Sequence, residues 1–327
     1  MIIGAILSVA SAFSFSLNNV MARRAMASAA ASQGAFITVL IGVPLFLLAA
    51  LVSGQLFRLG EIPVNGYVLL AAAGILHFSI GRFFNYRAIA AVGSARSQPI
   101  QTMSIPYSIL IAFIFLGETI NWIMAFGILL VMIGPTVVIE RNQRKPAPEP
   151  PRGASPEAEA DEKATAKAKP PGTPAFELRQ LEGYSFAILA TTCYGTSPLL
   201  IRAALEGQTD LSVVGGAIAY FAAGLFVLSS LLLPRNRTLI RAVNLHNFRL
   251  FFGAGFFVFL AQMLRFMALS LAPVAIVTPL QRLAGLFTLV LASTINKDLE
   301  KINRRVIFGV IISLTGSAIL IMGRDIF

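Results

Sequence analysis

Ten stretches of this 327-residue chain are apolar on every face over about the length needed to cross a bilayer, and they constrain the fold more than any other feature. A helix needs about 20 apolar residues to span a hydrocarbon core of roughly 30 Å, and soluble helices seldom stay apolar all round over that length. The stretches cover residues 2–21, 35–53, 66–86, 93–116, 121–139, 184–204, 211–233, 250–270, 273–294 and 306–322. Hydrophobic residues make up 56% of the chain and charged residues only 13%. A soluble domain carries roughly 25% charged residues, so a surface this poor in charge must face lipid. Residues 2–21 have no basic residue ahead of them and read as a first membrane helix, not as a cleavable secretion signal. The single cysteine, Cys193, lies inside an apolar stretch and says little about redox compartment.

The series is interrupted once. Residues 141–180 hold PAPEPPRGASPEAEADEKATAKAKPPGTP, a mixture of Pro, Ala, Glu and Lys without large apolar side chains. Such a segment cannot bury enough surface to offset the entropy of ordering, so it reads as a disordered tether. The chain therefore divides into 1–140, the linker 141–180, and 181–327, with five apolar stretches in each half.

The two halves match. At an offset of 180 residues Ala88 meets Ala268, Ala95 meets Ala275, Pro99 meets Pro279, Gln101 meets Gln281, and Glu118 meets Asp298. A two-residue insertion then sets Asn121 against Asn303, Phe126 against Phe308, Gly127 against Gly309 and Gly134 against Gly316. An odd number of spans per copy makes the second copy enter the membrane from the opposite side. The expected fold is thus all-α and integral to the membrane, with ten transmembrane helices arranged as two inverted five-helix repeats. That symmetry suits alternating access, because each half can adopt the other's conformation. Outside the linker, eleven arginines and lysines fall on the linker's side of the membrane and three on the other. The positive-inside rule then puts the linker in the cytoplasm and both termini outside.

Intramembrane chemistry is dominated by arginine. The acids lie in loops, tails, the linker or at helix ends, and none sits near the middle of a span, which disfavours an organic cation as cargo. Arg82, Arg96, Arg265 and Arg282 do fall within spans. Each costs at least roughly 2.5 kcal/mol near the bilayer centre unless it meets a polar cavity or a partner. All four are candidate substrate-binding residues; Arg82, Arg96 and Arg265 lie close enough to helix ends to snorkel instead, whereas Arg282 is about ten residues from either end of its span. A guanidinium presents a planar fork that matches carboxylate or phosphate, so the substrate itself would supply the missing anion.

Polar neighbours fit a cavity. Pro99 and Pro279 each leave a backbone carbonyl without its helical donor, and such helix-kink positions are tolerated mainly beside cavities or neighbouring helices. Gln101 and Gln281 stand two residues further on, as cavity ligands or as interhelical bonds. His77 and Asn85 are eight residues apart, about two helical turns, with Arg82 between them. His77 is the one side chain of the membrane segments whose unperturbed pKa lies in the neutral range, which makes it the proton-coupling candidate beside a purely structural role. Ser11, Asn18 and Asn19 form a polar stripe on the first span, and Thr192 and Tyr194 hold the corresponding places on the sixth.

Pro99 in the fourth span, Phe115-Leu116-Gly117-Glu118 at its end, and Gly127 and Gly134 in the fifth are repeated by Pro279, Asp298, Gly309 and Gly316. With these motifs the chain resembles the drug/metabolite transporter superfamily, in particular its ten-helix EamA-type members. The resemblance implies a basket of two inverted five-helix units, with solute held between the first, third, fourth, sixth, eighth and ninth helices. It implies metabolites, amino acids, nucleotide sugars or drugs as cargo, moved by exchange or proton coupling. Two departures stand out. Such proteins usually keep both termini in the cytoplasm, against the charge count, and the membrane-embedded glutamate of the small multidrug relatives has no counterpart here.

The expected function is a secondary, non-ATP transporter that moves a small anionic or zwitterionic metabolite by alternating access. Alternatives are a carrier of neutral or hydrophobic solutes, or translocation of a phosphorylated lipid carrier. No enzyme is expected: there is no metal cluster, no nucleophile beside a base, and no phosphate-binding glycine loop. No cofactor is expected either. The expected partners are a small solute and the lipid bilayer, with a homodimer compatible; nucleic acid is not a partner, because no basic stripe interleaved with aromatics offsets the net charge of +11. The expected location is a bacterial inner membrane, crossed many times.

Overall fold

The computed structural model describes residues 2–25, 31–92, 100, 101, 103–142, 180–230, 232, 245–295 and 304–323. Nearly all of the linker, together with Arg96, Pro99 and Asp298, lies outside the described residues. Twelve helical segments are followed here: α1 (Ile2–Ala25), α2 (Ala31–Val52), α3 (Val64–Gly74), α4 (Gly81–Val92), α5 (Ser104–Leu116), α6 (Trp122–Asn142), α7 (Gln180–Leu205), α8 (Ser212–Ser230), α9 (Leu245–Leu271), α10 (Val274–Leu280), α11 (Leu283–Ile295) and α12 (Arg304–Met322). There is no strand among the described residues.

Among the described residues four helices are long and apolar enough to cross a membrane: α1 over Ile2–Ala22, the run Val64–Asn85, α8 with the short turn ahead of it, and α9 over Phe251–Leu271. Phe36–Val52 and the 3-10 helix Gln55–Glu61, bent by 88° from each other, make a fifth when the pair is taken as one span. Ser104–Leu116, Trp122–Ile133 and Val274–Thr288 are apolar but shorter. Large apolar side chains cover the outside, with Phe115, Trp122 and Leu181 at 73%, 91% and 84% exposure. Surface of that kind is expensive in water and cheap in lipid. The chain is an all-α, multi-pass membrane protein.

Two spans depart from regular α geometry. Between α3 and α4 the chain runs through a π-helical turn, Ile75–Ile80, which carries His77. Single π turns inside α-helices re-aim the side chains beyond them. The ninth apolar stretch is cut at Gln281 and Arg282, between α10 and α11. Pro279 has no N–H to donate, and past it the chain closes three-residue turns: Arg282 N donates to the Pro279 carbonyl at 2.9 Å and Gly285 N to that of Arg282 at 3.1 Å.

Small residues let helices touch backbone to backbone. A Cβ on Gly127 of α6 would lie 2.7 Å from the Leu320 amide nitrogen of α12, and one on Gly316 of α12 would lie 2.8 Å from that of Val131. One glycine from each half thus meets in a single crossing. Gly74 has the same role against α8, where a Cβ would collide with the Ala219 carbonyl. Behind it the core is aromatic: Tyr220 stacks on Phe46 and Phe78, with ring centroids 4.6 and 4.3 Å away.

Residues 53–63 meet 206–214, and Glu118 meets the start of α10. Gln55 Oε1 accepts the N–H groups of Val213 and Val214 at 2.9 and 3.0 Å. Glu118 accepts those of Val274 and Ala275 at 2.8 and 3.0 Å and so caps α10 with a negative charge. Arg202 does the converse, donating to the Leu269 and Ser270 carbonyls at the end of α9. Arg58 bridges Glu61 and Asp210, both exposed.

Candidate functional site

A cavity of about 280 Å³ opens among helices from both halves. α1 contributes Ser11 and Phe15. The π turn and α4 contribute His77, Arg82 and Asn85, and the start of α5 with the turn before it contributes Gln101 and Ser104. From the second half come Tyr194 and Pro198 of α7, Gln262 and Arg265 of α9, Thr278 of α10, and Gln281 and Arg282 at the break. These elements belong to the first, third, fourth, sixth, eighth and ninth apolar stretches, the set implied by the family resemblance.

Arg282 owes its place to the break. With the helix interrupted under it, its Nη2 donates to Ser104 Oγ at 2.7 Å and to the Gln101 carbonyl at 3.3 Å. Both partners are neutral. Arg265 is 5% exposed, and its Nη1 lies 3.2 Å from His77 Nε2 and 3.4 Å from Gln262 Oε1. A guanidinium can only donate, so the imidazole nitrogen facing it accepts. Arg265 Nε is buried without a hydrogen-bond partner among the described residues, as is Thr278 Oγ1. Arg82 donates to Thr38 Oγ1 at 3.2 Å and lies 5.8 Å from the centroid of the Phe78 ring. No aspartate or glutamate is among the described residues of the cavity wall. The described ion pairs are elsewhere, at Arg58 and between Arg87 and Glu182.

Amides complete the wall. Gln101 Nε2 donates to Asn85 Oδ1 at 2.6 Å, joining the fourth stretch to the third, and Gln281 Nε2 reaches Ser11 Oγ at 3.3 Å. Ser11 Oγ in turn donates to the Ala261 carbonyl at 2.7 Å, locking α1 to α9. The glutamines therefore bond across helices and line the cavity at once. Among the described residues no group of three His, Cys, Asp or Glu is placed to hold a metal ion.

Of the two places open to Arg82 and Arg265, headgroup or cavity, both take the cavity, Arg265 being held by His77 and Gln262. Other expectations need correction. Asn18 is buried but does not line the cavity; its amide lies 3.4 Å from Asn19, which continues to Thr288. The polar stripe of α1 therefore reaches the cavity only through Ser11. Thr192 is exposed and bonds back to the Ile188 carbonyl, while its neighbour Thr191 points inward to the Ile100 carbonyl at 3.0 Å. Arg96 and Pro99 lie outside the described residues, whereas Pro279 sits buried two residues ahead of Gln281. Sequence reasoning overlooked Ser104, Gln262 and Thr278. Gln262 was legible in principle, one helical turn before Arg265 in an otherwise apolar span; Ser104 and Thr278 carry no such signal.

The sequence model of the EamA-like transporter family matches residues 2–139 and again 181–322. No curated protein matches the chain. A solved structure described only as "Crystal structure of protein" superposes with a TM-score of 0.66, covering 97% of this chain and 96% of that one, at 15% identity. At that identity the likeness is one of fold. The two family matches fall on the two halves that the internal alignment separates and together take in nearly the whole chain outside the linker. The chain belongs to the EamA-like transporter family, within the drug/metabolite transporter superfamily, and is a membrane transporter.

Proposed function

We propose that this transporter is a secondary, non-ATP carrier of a small anionic or zwitterionic metabolite, working by alternating access between two inverted five-helix halves. The observation that carries this reading is Arg282: a guanidinium at a helix break in the cavity wall, bonded among the described residues to Ser104 Oγ and the Gln101 carbonyl alone. Neutral partners leave its charge uncompensated among the described residues, and a half-buried charge at membrane depth without a counter-charge favours an anionic guest. Ten spans follow if α3 with α4, and α10 with α11, each form one crossing and every other helix forms its own. The ties between 53–63 and 206–213 fit a state closed on the face opposite the linker, which the charge count makes the outer face of a bacterial inner membrane.

The test is uptake by the purified protein in proteoliposomes, over a panel of anionic, zwitterionic and neutral solutes of similar size. Anionic or zwitterionic solutes enter, and Arg282→Gln lowers their uptake by about tenfold or more, as expected when one partner of a buried charge contact is removed. Undiminished anion uptake by Arg282→Gln, or a cargo confined to neutral solutes, sinks the reading.

A further inference from the structure

We infer that the cargo carries two negative charges and not one: a small dianion such as a short dicarboxylate or a phosphate monoester. This deepens the anion-carrier reading and rests on it. Three guanidinium groups, those of Arg82, Arg265 and Arg282, share one cavity of about 280 Å³, and no described residue of its wall is an acid. A guest with a single negative charge leaves two of the three uncompensated, whereas a dianion leaves one. Like charges confined in a poorly screened cavity repel, so the second negative charge gains more there than it would in water.

The arginines are also spread out. Arg82 is on α4 beside Thr38, Arg265 is on α9 beside His77, and Arg282 is at the break beside Ser104. Each guanidinium carries five donors, yet the described contacts engage one nitrogen of each. Among the described residues Arg265 Nε and Thr278 Oγ1 stay buried and unpartnered. Buried donors of this kind are costly unless a ligand or water takes them up, and their spacing over several helices suits acceptors at more than one point of the guest. The volume lies at the small end for ligand cavities and suits a solute of this kind more than a nucleotide.

Calorimetric titration of the full-length protein in lipid nanodiscs, at pH 8 and low salt, tests this with two matched pairs. Succinate is compared with its monoamide succinamate, and methyl phosphate with dimethyl phosphate. In at least one pair the dianion binds about tenfold tighter than its singly charged partner, and the pair that responds tells whether the charges sit on two carboxylates or on one phosphoryl group. Arg265→Gln reduces that preference to about threefold or less while succinamate still binds. If Arg265→Gln fails to melt cooperatively, Arg82→Gln takes its place with the same expectation. Equal affinity for both members of both pairs overturns the two-charge inference; if those monoanions still depend on Arg282, the anion-carrier reading stands without it. Binding of neutral succinamide as tight as that of the anions, unaffected by Arg282→Gln, overturns both.

Discussion

His77 shows how much a single residue gains from its surroundings. In the sequence it is one of two histidines and the one within an apolar span. In the structure it sits on a π turn, with Arg265 3.2 Å from its Nε2 and the Tyr194 ring 5.1 Å from its own centroid. Its visible task is to accept from Arg265 and hold that guanidinium at the cavity wall. His77→Gln keeps an acceptor in place but cannot titrate. Uptake by this variant is expected to stay within about threefold of the parent with an unchanged pH profile, while His77→Ala loses about tenfold or more. A profile that flattens between pH 6 and 8 in His77→Gln would assign the residue to proton coupling instead. At this scale the inward-turned arginines were legible only as anomalies. Sequence position placed Arg82 and Arg265 near enough to helix ends to reach headgroups, and only the rotation of α4 and α9 turned them to the interior.

Helix crossings are where small residues matter most. α6 and α12 meet at Gly127 and Gly316, where any Cβ would press on the opposing backbone. Backbone cannot yield as the end of a flexible side chain can, so Gly127→Leu must separate the helices or unwind one of them. The expected loss is about 1–3 kcal/mol, seen as a lower melting temperature of the detergent-solubilised protein; a change at Gly60, where a Cβ would meet nothing within 4 Å, is expected to leave it unaltered. A melting temperature that Gly127→Leu leaves in place would mean the crossing is not tight. Periodicity along the chain marked these glycines as recurring, but it aligned Gly127 with Gly309. The contact it makes is with Gly316, further along α12, because packing and not alignment along the chain decides which glycines face each other. The break at Gln281 and Arg282 was partly legible too, since proline removes a donor; that the helix stops there and resumes at Leu283 depends on what packs beside it.

For the molecule as a whole, the face bearing 53–63 and 206–211 is held together by contacts between residues far apart in sequence. Hydrogen bonds from Arg58 keep the Glu61 and Asp210 carboxyls below their ordinary ranges, and the two carboxylates raise Arg58 in return. A lowered carboxylate pKa makes a contribution that is present at neutral pH and is lost as pH falls through the lowered values, below about 4. These groups are solvent-exposed, so salt weakens the cluster as well. Arg58→Gln should therefore favour opening on this face. With Thr278→Cys as a reporter in the cavity wall, an impermeant maleimide added from this side is expected to label Arg58→Gln roughly threefold faster at pH 7, with the difference shrinking in high salt. Equal labelling rates would show that the cluster does not hold the face closed.

Membrane residence, the division into halves and the family were determined by the sequence by itself, because each rests on local or repeating properties: run length against bilayer thickness, charge content, and the recurrence of Pro, Gln and Gly at a fixed offset. Arginine's cost in lipid also marked Arg282 without any coordinates. Tertiary structure alone decided which polar groups converge. The cavity joins residues as far apart as Ser11 and Arg282, and their meeting depends on helix rotation, the π turn before α4 and the break before Leu283. A sequence states how costly a buried charge is; only packing states what it faces.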